Sequence, residues 1–152
     1  MSSIRAIFFD IGDTLVFDDP PLQERFWLST QQVGIRYTKD RLPAAIHVGE
    51  QYAVSQYLLG ADYTTPYVLH ETACRILAAV GVQAVSRTGI DALGEVFLNA
   101  EFRRYAHPDA IDLLRELRAR GFLLGAISDW APTLLDVLAE LSLDDFFDGV
   151  AV

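Results

Sequence analysis

Apolar positions fall into two kinds of pattern along the chain. Ile4-Arg5-Ala6-Ile7-Phe8-Phe9 is a short β-branched and aromatic run closed by Asp10-Ile11-Gly12-Asp13-Thr14, which predicts a buried strand followed by a turn. Phe122-Leu123-Leu124-Gly125-Ala126-Ile127 has the same character and ends at Ser128-Asp129, and Phe147–Val152 reads as a third strand. Helical patterns separate these runs. Pro108 can open a helix, because its missing N–H is not needed in a first turn. Ile111, Leu113, Leu114 and Leu117 supply the apolar stripe, and Gly121 closes it. Pro132 opens another, carrying Leu134, Leu135, Leu138 and Leu141. Apolar strands alternating with helices imply an α/β fold with a Rossmann-like parallel sheet and right-handed crossovers.

Residues from about 20 to 105 read as helical throughout. A helix after Pro20-Pro21 carries Leu22, Phe26 and Leu28–Val33 and ends near Gly34. Thr38 caps a second through about Leu59, Thr65-Pro66 starts a third through Val80, and a fourth runs from Ile90 to Arg104. The chain therefore divides into an α/β core from residues 1–17 and 105–152 and an all-helical insertion over 18–104. No repeat of 20–50 residues appears.

Composition narrows the classes. Of the 152 residues, 51% are hydrophobic and 22% charged, which excludes a disordered chain. The length suits one domain or one domain with an insertion. A lone cysteine permits no internal disulfide, so nothing points to secretion. No apolar run reaches the ~20 residues of a membrane helix, and Asp10 interrupts the first strand too early for a signal peptide. With 12 basic against 21 acidic residues, nucleic-acid binding is disfavoured, because neutralising phosphates needs cations in excess. The expectation is an acidic cytoplasmic protein with no nucleic acid or membrane partner.

Ligands in parallel α/β sheets sit beyond the carboxyl ends of the strands, where Asp10 and Ser128 fall. A carboxylate there can act as a nucleophile, and a hydroxyl with nearby backbone N–H groups can hold oxyanions. The competing readings are a turn residue for Asp10 and a helix cap for Ser128. His70 and Cys74, four apart on a helix, have the spacing of two metal ligands, but no second pair accompanies them. Cys74 reads better as a small core residue. Arg103-Arg104 either attracts an anionic substrate or lies at a solvated helix end. Phe26, Trp27, Tyr52 and Tyr57 either line the helical side of a cleft or form core, and Trp130 is placed to shape a pocket mouth.

The segments "FFDIGDTLV" at 8–16, "GFLLGAISDW" at 121–130 and the helix "HPDAIDLLRELRARG" between insertion and second strand together resemble the haloacid dehalogenase (HAD) superfamily, whose helical cap occupies the place of the insertion. The resemblance implies a nucleophilic aspartate at Asp10 and a phosphoryl-binding Ser128. It also implies Mg²⁺ held by the Asp10 carboxylate and the Gly12 carbonyl. Thr14 matches the family's threonine after the aspartates. Asp129 is counted with Thr14 and Ser128 as substrate-binding, with helix capping as its rival reading.

Two departures qualify this. Phosphatases of the family carry a second aspartate two residues after the nucleophile, as acid and base. Here that position is Gly12. Asp13 is one residue late and is a candidate substitute, against the simpler reading of turn chemistry. The family's third motif is a lysine and its fourth an acidic pair. Lys39, in the insertion, is the only lysine, and no residue matches either motif. By that resemblance the chain reads as a HAD-like hydrolase truncated after the third core strand, a Mg²⁺-dependent phosphatase first, acting on a small phosphorylated or halogenated metabolite. Its turnover is expected to be weak or absent. The alternatives are a haloacid dehalogenase and a non-catalytic dimeric binding module. Without further strands the first strand becomes an apolar edge, which invites pairing, so a homodimer through the region of Ile4–Phe9 is expected.

Overall fold

The structure is a computed structural model and describes residues 4–62, 65–130 and 133–152. The chain forms two compact units. One takes the chain through Asp19 and again from Phe102 to Val152, and the other is Pro20–Glu101.

The first unit holds a three-stranded parallel sheet of β1 (Ala6–Phe9), β4 (Leu123–Ile127) and β5 (Gly149–Ala151), in the order β1-β4-β5. Phe9 pairs with Ala126, and Ala126 with Val150. Helices α5 (Ala110–Ala119) and α6 (Leu134–Glu140) connect the strands. Ile7, Phe9, Leu124, Ala126 and Val150 point to one face, where they meet the buried Leu114 of α5 and Leu134 and Leu138 of α6. Period-two alternation sends Phe8, Leu123 and Ile127 to the other face, where they are 64%, 56% and 54% exposed. The apolar strands thus cover only one of their faces with helices, whereas continuous apolar runs predict burial on both. Leu113 and Leu135 also depart from the expected stripes and are exposed. The expected helix start at Pro132 lies outside the described residues.

The same unit contains a feature the sequence pattern misses. β2 (Val16–Asp19) pairs antiparallel with β3 (Arg103–Ala106), Asp18 opposite Arg104. The helix expected over Ile90–Arg104 ends earlier, so Arg103 and Arg104 lie on a strand and not at a helix end.

The second unit consists of α1 (Leu22–Gln32), α2 (Leu42–Leu58), α3 (Pro66–Ala79) and α4 (Arg87–Leu98), with a 3₁₀ turn at Lys39–Arg41. Thr65 caps α3 by accepting from the Val68 N–H, and Ser86 caps α4 by accepting from Gly89. Thr38 precedes the 3₁₀ turn and makes no side-chain cap. Phe26, Leu42, Ile46, Leu77 and Leu93 form the buried centre. No helix of the described residues is long and apolar enough to cross a membrane.

Candidate active site

The site is built on two parallel neighbours. β1 stops at Phe9 and Asp10 follows; β4 stops at Ile127 and Ser128 follows. Because Phe9 is in register with Ala126, Asp10 and Ser128 leave the sheet at the same carboxyl edge.

Backbone hydrogen bonds shape the loop after β1. Ile11 is fully buried, and its carbonyl accepts from the N–H groups of Thr14, Leu15 and Val16 at 3.3, 2.9 and 3.0 Å. The Asp13 N–H donates to the Val16 carbonyl at 2.9 Å. Closing so tight a turn puts Asp13 at φ +54°, a left-handed conformation that aspartate tolerates better than most residues. The turn brings Thr14 back to Asp10, whose Oδ2 accepts from the Thr14 hydroxyl at 2.8 Å. Asp10 stays exposed, with one carboxylate oxygen held by that bond.

Ser128 is buried. Its N–H donates to the Ala151 carbonyl at 3.0 Å, and its Oγ accepts from the Trp130 N–H at 3.3 Å. The hydroxyl therefore also organises the turn after β4. Asp129, between them, is exposed. Trp130 reaches across to the other loop, where its ring abuts Gly12. The Arg104 guanidinium lies over the Trp130 ring, 4.8 Å from its centroid, and pairs with Asp18 at 3.0 Å. Gly12, Trp130, Arg104 and Asp18 form a chain of contacts beside the Asp10 loop. The sequence offered no signal for Asp18, since its contact with Arg104 depends on the pairing of β2 with β3.

The remaining candidates lie elsewhere. Lys39 pairs with Glu24 and lies over Trp27 in the helical unit. His70 approaches Asp91, Nδ1 to Oδ1 3.7 Å. Cys74 is a half-buried free thiol, pushed above its ordinary pKa by burial and, secondarily, by Glu71. Phe26 is core, Arg75 lies over Tyr52, and Tyr57 is exposed.

No group of three or more His, Cys, Asp or Glu that could hold a metal occurs among the described residues. The Asp10 loop offers the Asp10 carboxylate and the Gly12 carbonyl, and one Asp10 oxygen already accepts from Thr14. Mg²⁺ demands near-octahedral coordination by oxygen. This donor set by itself does not fit a resident Mg²⁺.

The family model for haloacid dehalogenase-like hydrolases matches residues 4–152. No curated protein matches the chain. Among solved structures, a Haemophilus somnus 129pt protein described as a predicted phosphoglycolate phosphatase is similar at 16% identity and a TM-score of 0.59, over 99% of this chain and 63% of that one. An L-2-haloacid dehalogenase is similar at 22% identity and a TM-score of 0.60, over 99% of this chain and 64% of that one. A Bacillus subtilis protein described as a HAD-hydrolase and bound to magnesium is similar at 19% identity and a TM-score of 0.56, over 98% of this chain and 65% of that one. At these identities the likeness concerns the fold. The chain spans a little under two thirds of the length of each.

Proposed function

The chain belongs to the haloacid dehalogenase-like hydrolases, and from that membership we propose that it hydrolyses phosphate monoesters with Asp10 as the nucleophile. The observation that supports this reading is the exposed Asp10 carboxylate, oriented by Thr14, at the same sheet edge as Ser128. An Asp10 oxygen attacks phosphorus, and the ester P–O bond breaks with its electron pair going to the departing alkoxide, which takes a proton from water. A second water then attacks the phosphorus of the aspartyl phosphate. The carboxylate leaves, a proton is released to solvent and inorganic phosphate departs. Ser128 holds a phosphoryl oxygen, the adjacent exposed Asp129 contacts the substrate, and Thr14 keeps the nucleophile in one rotamer.

Gly12 has no side chain to protonate the departing alkoxide. General acid catalysis contributes typically about 10²–10⁴-fold, so turnover is slow and favours substrates whose leaving group is a weak base, such as aryl phosphates. Asp13 is the acidic neighbour that can take a secondary part in proton transfer. The Asp10 carboxylate and the Gly12 carbonyl are a short donor set, which by itself binds Mg²⁺ weakly.

The test is release of phosphate from an aryl phosphate by the purified chain, with and without Mg²⁺, beside Asp10→Asn. Slow turnover lost in the variant supports the proposal. Turnover unchanged in the variant, or none in either protein, overturns it. A second reading, a non-catalytic dimeric module, is favoured by Gly12 and by the uncovered apolar sheet face. It predicts no turnover together with a stable dimer. A dehalogenase is the other enzymatic reading, since the family's dehalogenases share the lack of a second aspartate. Chloride release from a 2-chlorocarboxylate separates it from the phosphatase.

A further inference from the structure

The helical unit contains a cavity of about 680 Å³ between α1, α2, α3 and α4. Its lining lies wholly within Pro20–Glu101 and includes none of Asp10, Thr14, Ser128 or Trp130. The volume is that of small-molecule sites, which run from about 300 to 1,000 Å³. Small side chains create it: Ala53 of α2, Ala73 of α3 and Gly94 of α4 all face the space. Gly94 is the telling residue. A Cβ there would meet nothing within 4 Å, and its φ is not left-handed. Glycine inside a helix is less stable than alanine, so its presence has no backbone reason, and what it leaves is room.

The walls are apolar, with Phe26, Ile46, Ile76 and Leu93 among them. Leu22, Leu69 and Leu98 also line the space and are themselves exposed, which gives a ligand an apolar approach. The fixed charges of the lining have one sign, and His70 is the one lining group that can carry the other. Glu50, Asp91 and Glu95 line the cavity, and no lysine or arginine does among the described residues. Asp91 and Glu95 stand one turn apart on α4, and His70 lies beside Asp91. The Thr72 hydroxyl, on another lining residue, is buried without a hydrogen-bond partner. A buried polar atom left unpaired costs free energy that a ligand donor or acceptor can recover.

We propose that this cavity binds an amphipathic amine, its hydrocarbon or aromatic body among the apolar walls and its ammonium at Asp91 and Glu95. The acidic wall disfavours phosphates and carboxylates, because each would bring a like charge against it. The cavity therefore takes a ligand class distinct from the anionic substrate proposed at Asp10, and its occupancy does not depend on that reading.

Displacement of the neutral fluorophore N-phenyl-1-naphthylamine from the full chain at neutral pH tests this, with decylamine, decanol and decanoate as competitors. Decylamine is expected to displace the probe at concentrations about tenfold or more below decanoate. Asp91→Asn with Glu95→Gln abolishes that preference and leaves decanol unchanged. Gly94→Phe fills the space and removes probe binding while circular dichroism reports an intact fold; Ala53→Phe carries the same test should Gly94→Phe unfold. The proposal is overturned if the wild-type chain binds no probe, if decanoate competes as well as decylamine, or if a folded filled variant still binds. It is also overturned if sedimentation shows a wild-type dimer that the filled variant dissolves and decylamine does not, since a second copy of the chain then occupies the cavity.

Discussion

The indole of Trp130 lies against Gly12: a Cβ built on that glycine would sit 3.5 Å from Cζ3 and 3.6 Å from Cε3. Those are ordinary van der Waals distances, and the Gly12 φ is not left-handed. Gly12→Asp is therefore expected to fold, with its carboxyl beside the indole and the Asp10 carboxylate. If a missing proton donor limits turnover, the variant accelerates hydrolysis of an alkyl phosphate by about tenfold or more, and an aryl phosphate far less, since general acids matter most for basic leaving groups. Equal acceleration of both substrates, or none, shows that an aspartate at position 12 does not deliver the proton.

Arg104 joins β2, β3 and Trp130 through its pair with Asp18 and its place over the indole. The Arg104 and Asp18 side chains are only 25% and 20% exposed, so the pair is worth more than a surface bridge yet less than a fully buried one. Arg104→Ala is expected to destabilise the chain by about 1–3 kcal/mol, between those two limits. A double-mutant cycle with Asp18→Ala in urea denaturation should give a coupling of about 1 kcal/mol or more. Additive effects would place the stabilisation in the stacking of Arg104 on Trp130 and Phe102.

Phe8 covers Gly125 on the uncovered sheet face, where a Cβ on Gly125 would come within 2.4 Å of the ring. With Leu123 and Ile127 beside it, this face is the surface we propose for self-association. Phe8→Lys is expected to shift a wild-type dimer to monomer in sedimentation velocity. A wild-type monomer at high concentration, or a dimer indifferent to the substitution, would remove this face as the contact.

Burial raises the pKa of the Cys74 thiol, and Glu71 adds to it. Burial likewise raises Tyr37, opposed by the hydrogen bond its oxygen accepts from the Thr30 hydroxyl. Both groups bind their proton more tightly folded than unfolded. Their contribution is fully present below the unfolded values, about 8.5 for cysteine and 10 for tyrosine, and is lost as pH rises beyond them. The urea midpoint should therefore fall between neutral pH and pH about 10, and fall less in Cys74→Ala. Iodoacetamide should also alkylate Cys74 more slowly than free cysteine near pH 8, where less of it is thiolate.

Local chemistry explains which parts could be read early. The first strand, the Asp10 turn, the second strand ending at Ser128 and the helix start at Thr65 are encoded within a few residues each, whereas the Ser86 cap lies four residues before the expected start at Ile90. Local pattern does not show the β2–β3 pair, because Val16–Asp19 and Arg103–Ala106 carry little strand pattern of their own and each is stabilised by a partner more than eighty residues away. The helical pattern therefore extends to Arg103 and Arg104, which the structure puts on β3, and Asp18 carries no signal before its partner strand is known. Leu113 and Leu135 were misplaced for a related reason: a leucine-rich helix has more apolar positions than its buried stripe can hold.

Taken alone, the order of residues determined the α/β alternation, the helical insertion and the appearance of Asp10 and Ser128 just after two strands, because periodicity and turn chemistry act over single turns and single strands. Tertiary structure alone decided which sheet face is covered, that Trp130 meets Gly12 beneath Arg104, and that Gly94 opens onto a cavity. Those outcomes depend on volumes and registers brought together from distant parts of the chain, and no local pattern specifies them.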